Sequence, residues 1–126
     1  MNTCSPELVG VSPTSCGKKA FDRNLASYLF AAVRSDLSAA QQGVQLCHAT
    51  ALAAANGGLD PDTRFVLVSV KNKDELLLLA DNLARDGIAF DLFEEPDYQI
   101  GPSALATHKT NFKSGKRFSK LPLWSP

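Results

Sequence analysis

The sequence predicts an α/β protein: a single-domain, three-layer sandwich with a four-stranded mixed sheet and helices on both faces. Three observations carry this. Short runs apolar on both faces, as buried strands are, alternate with alanine- and leucine-rich stretches of helical spacing. Capping and turn residues bracket each stretch. The length of 126 residues with 44% hydrophobic side chains suits one modest core and no second one.

The elements follow in order. Residues 1–24 mix Ser, Pro, Thr, Gly and Asn without periodicity, too little apolar surface to offset ordering entropy, and read as a flexible leader before a domain at 25–126. Tyr28 to Arg34 (YLFAAVR) is the first strand. Ser38, with Gln41 three residues on, has capping-box spacing, and Ala39 through Ala55 is rich in helix formers until Asn56, Gly57 and Gly58 stop it. On this helix Ala40, Val44, Cys47, Ala51 and Ala54 are expected to form the core stripe, while Gln41, Gln45 and His48 share a neighbouring face. After the turn LDPDT comes a second strand, Arg64 to Val70 (RFVLVSV). Asn72 caps a second helix, Lys73 to about Arg85, which packs through Leu76, Leu77, Leu79, Ala80 and Leu83 and ends at Gly87. Ile88 to Phe93 is the third strand and Ser103 to Thr107 the fourth. Pro122 and Pro126 limit regular structure beyond residue 109, although Phe118, Leu121, Leu123 and Trp124 are candidates to pack back.

Thirteen basic side chains balance thirteen acidic ones, so no overall field announces a nucleic-acid or membrane partner. The balance is local: ten of the thirteen acids fall between Asp60 and Asp97, whereas Lys109, Lys113, Lys116, Arg117 and Lys120 follow Thr107 with no acid among them. Such a stretch suits either solvation or phosphate contact. Cys4, Cys16 and Cys47 are odd in number and lack metal-ligand spacing, and no run is long enough for a signal core or a membrane span, which suggests a reduced, cytoplasmic protein. Cys47, on the expected apolar stripe, reads as a core residue. His48 and His108 with scattered carboxylates give no metal pattern, and neither a Gly-x-Gly-x-x-Gly nor a phosphate loop points to a nucleotide cofactor.

Two passages, VRSDLSAAQQGVQLCHAT (Val33 to Thr50) and FDLFEEPDYQIGPSALAT (Phe90 to Thr107), resemble the type II peptidyl-tRNA hydrolases. In that family a strand ending Val-Arg-x-Asp-Leu leads into a helix carrying Ala-Ala-Gln-x-x-His-Ala; Val33, Arg34, Asp36, Leu37, Gln45, His48 and Ala49 stand in those places. The order of elements agrees over about residues 27–121. The family's lysine-bearing approach to the helix is replaced by Ser38-Ala39-Ala40-Gln41-Gln42, and its Asp-Ala-Gly-x-Thr-Gln turn by Glu95-Pro96-Asp97-Tyr98-Gln99. A shortened subgroup with Asp-Leu-Ser-x-x-Gln-Gln, Gln-x-x-His-Ala and Glu-Pro-Asp is similar in all three places.

The resemblance implies hydrolysis of the ester in peptidyl-tRNA or a related N-blocked aminoacyl-tRNA, by water activated at His48 beside an acidic turn in which Glu95 or Asp97 supplies the carboxylate. Arg34, Asp36, Gln41, Gln45, Gln99, Ser103, Lys109 and Lys113 are the candidate substrate contacts. No metal or cofactor is expected, the partner would be tRNA carrying the ester, and a homodimer through an edge strand or the helix layer stays open. The residues equally allow a module of the same fold that binds tRNA or protein without turnover. Separately, Arg34 and Asp36 have the spacing to pair with each other or cap the helix.

Overall fold

The computed structural model describes residues 25–125. The expected leader, with Cys4 and Cys16, and Pro126 lie outside the described residues. The element order is β1 (Tyr28–Arg34), α1 (Ala39–Gly57), β2 (Arg64–Val70), α2 (Lys73–Arg85), β3 (Phe90–Glu95) and β4 (Gly101–Thr107). A 3₁₀ turn at Asp97–Gln99 joins β3 to β4, and another follows β4 at Phe112–Gly115. The four strands form one mixed sheet in the order β2-β1-β4-β3, with β1 parallel to β2 and β4 antiparallel to both its neighbours.

Side-chain alternation along β1 divides the core into two layers. Leu29, Ala31 and Val33 meet α1 through Leu46, Ala49 and Ala53; Phe30 and Ala32 belong with Leu76, Leu79, Ala80 and Leu83 of α2. One helix therefore covers each face, as the apolar pattern of β1 requires. Small residues on the α1 side, Ala31, Ala104 and Ala106, present a flat surface to a helix that is itself small-sided there. The α2 side is filled by larger groups, including Phe118, 1% exposed and stacked on Phe30 at 5.2 Å.

The caps are those the sequence prescribes. Ser38 Oγ accepts from Gln41 N and Asn72 Oδ1 from Glu75 N, satisfying first-turn amides that no helical carbonyl reaches. Gly58 ends α1 at φ 77°, a left-handed conformation that favours glycine. Strand β3 runs two residues later than the sequence suggested. Ile88 and Ala89 precede it: Ile88 leans half-buried on the α2 layer, so its hydrophobicity marks packing and not strand pairing.

The expected core stripe of α1 is the wrong face. Ala40, Val44, Cys47 and Ala51 are exposed and Ala54 half-buried, while Gln42, Gln45, Leu46, Ala49 and Ala53 are buried. Alanine on every side leaves helical spacing unable to choose a face, and polar partners choose it instead. Gln42 donates to the carbonyls of Leu37 and Ser35 and accepts from Trp124 Nε1 at 2.9 Å. Cys47, expected in the core, is exposed for the same reason.

The basic C-terminal stretch closes the structure. Ser69 N bonds Pro122 O and Trp124 N bonds Leu67 O, so part of the β2 edge is capped by the chain's own end. Arg117 reaches Asp86 through Nε at 2.9 Å and Nη2 at 3.1 Å. This guanidinium hydrogen bond holds the Asp86 carboxyl below the usual carboxylate range. No helix among the described residues is long and apolar enough to cross a membrane.

Candidate functional site

The carboxyl ends of β1 and β3, the first turns of α1 and the start of β4 meet at one rim of the sheet, the usual ligand edge of an open α/β sheet. Helix α1 crosses the sheet antiparallel to β3, so residues late in β3 face residues early in α1. Gln45 lies opposite Glu95, His48 opposite Phe93, and Asn56 opposite Asp91.

Gln45 is the centre of the rim. It is fully buried, and nearly all of its hydrogen-bonding capacity is used. Its Nε2 donates to Glu95 Oε1 at 2.7 Å and to Gln41 Oε1 at 3.0 Å, while its Oε1 accepts from the Ser103 hydroxyl. Since one amide hydrogen must go to each acceptor, the orientation of the group is fixed, and with it that of Gln41. The Gln41 oxygen is turned inward, leaving its amide nitrogen without a partner among the described residues.

The Glu95 carboxylate is held at both oxygens, Oε1 by Gln45 and Oε2 by the Asp97 backbone amide at 3.3 Å. The Gln45 bond first, and the Asp97 amide second, keep its carboxyl below the usual carboxylate range, and attraction to His48 acts in the same direction. His48 is one helical turn from Gln45 and exposed. Its ring lies on Phe93 with centroids 4.6 Å apart and planes 12° apart. The stack fixes the imidazole through its face and leaves the edge nitrogens, without hydrogen-bond partners among the described residues, open to solvent. The imidazole, exposed, and the carboxylate, half-buried, thus share one ledge at the rim.

The other candidate contacts divide. Arg34 is committed to structure: Nε and Nη2 grip both oxygens of Asp36 at 2.9 and 3.0 Å, and Nη1 donates to the carbonyls of Ile100 and Pro102 at 2.8 and 3.0 Å. It ties the end of β1 to the β3–β4 turn, so neither it nor the carboxylate of Asp36 is a free substrate contact. Ser103 is fully buried with its hydroxyl turned to Gln45, so it is not open to a substrate. Asp97 and Gln99 are exposed on the turn, where Asp97 serves Glu95 through its backbone amide; its carboxylate has no partner among the described residues.

Lys109 and Lys113 do not belong to the rim. Lys109 pairs with Asp60 at 3.2 Å beyond the far end of β4, a strand of seven residues that separates it from the turn by about 20 Å. Lys113 lies with Lys116 and Lys120 along a cavity of about 900 Å³ between α2 and the C-terminal stretch, on the opposite face of the sheet. The basic residues clustered in sequence thus lie at the far end of β4 or along the α2 side, and not on the rim that carries His48.

Gln42 and the Asp91–His108 pair were not singled out from the sequence. His108 Nε2 stands 2.8 Å from Asp91 Oδ2, and Asn56 Nδ2 donates to Asp91 Oδ1 at 3.0 Å, closing the far end of α1 onto β3 and β4. Two residues at the ends of adjacent antiparallel strands give no local signal until the register is known. No group of three or more His, Cys, Asp or Glu able to hold a metal ion occurs among the described residues. No protein-family model matches the chain, and no curated protein matches it either.

Proposed function

We propose that the His48–Glu95 ledge hydrolyses the ester joining a peptide, or an N-blocked amino acid, to the terminal ribose of tRNA. The observation that carries this reading is the shared rim: an imidazole with free edge nitrogens beside a carboxylate held ionised by Gln45. The resemblance of Val33 to Thr50 and Phe90 to Thr107 to the type II peptidyl-tRNA hydrolases supports the substrate class.

In this reading a His48 ring nitrogen takes a proton from water as the water oxygen attacks the ester carbonyl. Glu95 stabilises the imidazolium that forms. The tetrahedral oxyanion receives the Gln41 amide N–H and lies near the amino-terminal turn of α1, whose amides favour negative charge. Collapse breaks the bond to the ribose oxygen, which takes the proton back from His48, and the products are a free carboxyl group and the ribose hydroxyl.

A module that binds without turnover is the competing reading, favoured by the lack of any lysine between Ser35 and Thr50, where the family carries one. Purified protein incubated with N-acetyl-aminoacyl-tRNA separates the two. Release of the N-acetyl amino acid, lost in His48→Ala with unchanged circular dichroism, is the expected result; salt-sensitive tRNA binding with no release would leave only the binding module.

A further inference from the structure

The turn between β3 and β4 carries unusual backbone strain. Tyr98 and Gln99 both sit at φ 56°, consecutive non-glycine residues in the left-handed region, where Cβ crowds the neighbouring carbonyl. Gly101, at φ 69°, shows the residue that such backbone ordinarily selects. Burial does not offset the strain at Tyr98, for its side chain is 83% exposed, more than any other aromatic ring among the described residues.

The base of that ring is nevertheless fixed. Arg34 holds the carbonyls of Ile100 and Pro102, Ile100 N bonds Asp97 O at 3.2 Å, and Asp97 N bonds Glu95. A braced turn therefore presents an aromatic ring to water, three residues from the carboxylate of the ledge. Strain that persists without burial, next to acid–base groups, points to recognition. A flat, exposed phenol suits a flat partner, since aromatic faces stack on any nucleobase.

Resting on the hydrolase reading, we propose that Tyr98 is the platform on which the terminal nucleobase of the substrate stacks. The scissile ester and the base are carried by the same ribose, so a ring beside the ledge meets the base one sugar away from the bond that breaks. The bulk of a purine gives it more stacking face than a pyrimidine, and the ring would fix the ribose relative to His48 and Glu95 without reading sequence further back.

Two measurements test this. The first needs no turnover: the Tyr98 ring protons are followed by NMR while the trinucleotide cytidylyl-cytidylyl-adenosine, or its analogue lacking the terminal base, is added at millimolar concentration. The expected result is an upfield shift with the complete trinucleotide only, kept by Tyr98→Phe at the new ring, together with upfield shifts of the adenine protons that Tyr98→Gly abolishes. The second compares N-acetyl-aminoacyl esters of adenosine and of ribose; wild type should prefer the adenosyl ester about tenfold through KM, and Tyr98→Gly should abolish the preference while Tyr98→Phe keeps it. Because glycine relieves the strain, Tyr98→Gly should melt at or above the wild-type temperature, whereas a ring needed only for folding would lower it. A base-dependent shift without cleavage of either ester upholds the stacking and removes the hydrolase reading. An unmoved Tyr98 resonance, or an unaltered preference in Tyr98→Gly, overturns the proposal.

Discussion

Gln45 Nε2 stands 2.7 Å from Glu95 Oε1, and this one half-buried contact joins the first long helix to the acidic turn. It spans fifty residues of sequence and brings the imidazole-bearing helix into register with the carboxylate. The Glu95 carboxylate, which can only accept, fixes the amide's orientation and turns its oxygen to the Ser103 hydroxyl.

Replacing Gln45 with leucine should therefore be costly despite similar volume. The Ser103 hydroxyl, itself fully buried, would be left with only its longer 3.3 Å bond to the Phe93 carbonyl, and Glu95 would lose its main donor. A loss of about 1–3 kcal/mol in urea unfolding is expected, the cost of leaving a buried polar group unpaired. Ser103→Ala, which leaves the oxygen of the fully buried Gln45 amide without its donor, should cost a similar amount.

Glu95 also predicts a pH dependence. Its carboxyl in the folded protein lies below its ordinary 4.5, so the stabilisation is fully present above that value and is lost as pH falls through the lower folded value. Thermal melts from neutral pH into the acid range should show a decline that Glu95→Gln lacks. Gln45→Leu should shrink the same decline, because the amide is the largest cause of the lowered value.

Arg34→Lys should not behave as a conservative change. A lysine ammonium cannot grip both Asp36 oxygens and two carbonyls in the plane that the guanidinium fork supplies. Faster amide exchange at Ile100 and in the Asp97–Gln99 turn, with a stability loss of about 1–3 kcal/mol, is the expected outcome.

Gly115 tests the packing of the C-terminal stretch. A Cβ there would overlap the ring of Phe30, which is 4% exposed and stacked between Tyr28 and Phe118, so the ring must shift and give up part of that stacking. Gly115→Ala should destabilise by about 1–3 kcal/mol in denaturant unfolding, the usual cost of overpacking.

The architecture was readable because its signals are local and agree with one another. The apolar run of β1, the Ser38 and Asn72 caps and the leucines of α2 each point to the same layer order. The buried face of α1 was not readable, since with alanine on every side only Gln42 and Gln45 mark it, and a glutamine signals burial only after its partners Trp124, Glu95 and Ser103 are placed. His48 and Glu95 were legible from the resembling segments, and Gln45 was seen as polar but not as buried. Lys109 and Lys113 misled because nearness in sequence to Ser103 says nothing about which end or face of the sheet a side chain leaves from.

In the proposed reaction His48 and Glu95 act as one unit on one water molecule. Turnover of N-acetyl-aminoacyl-tRNA by His48→Ala, Glu95→Gln and the double variant measures it directly. His48→Ala should lose about 10²–10⁴-fold in kcat, Glu95→Gln should lose less, and the double variant should be no slower than His48→Ala. Losses that multiply in the double variant, or a His48→Ala protein as fast as wild type, would contradict it.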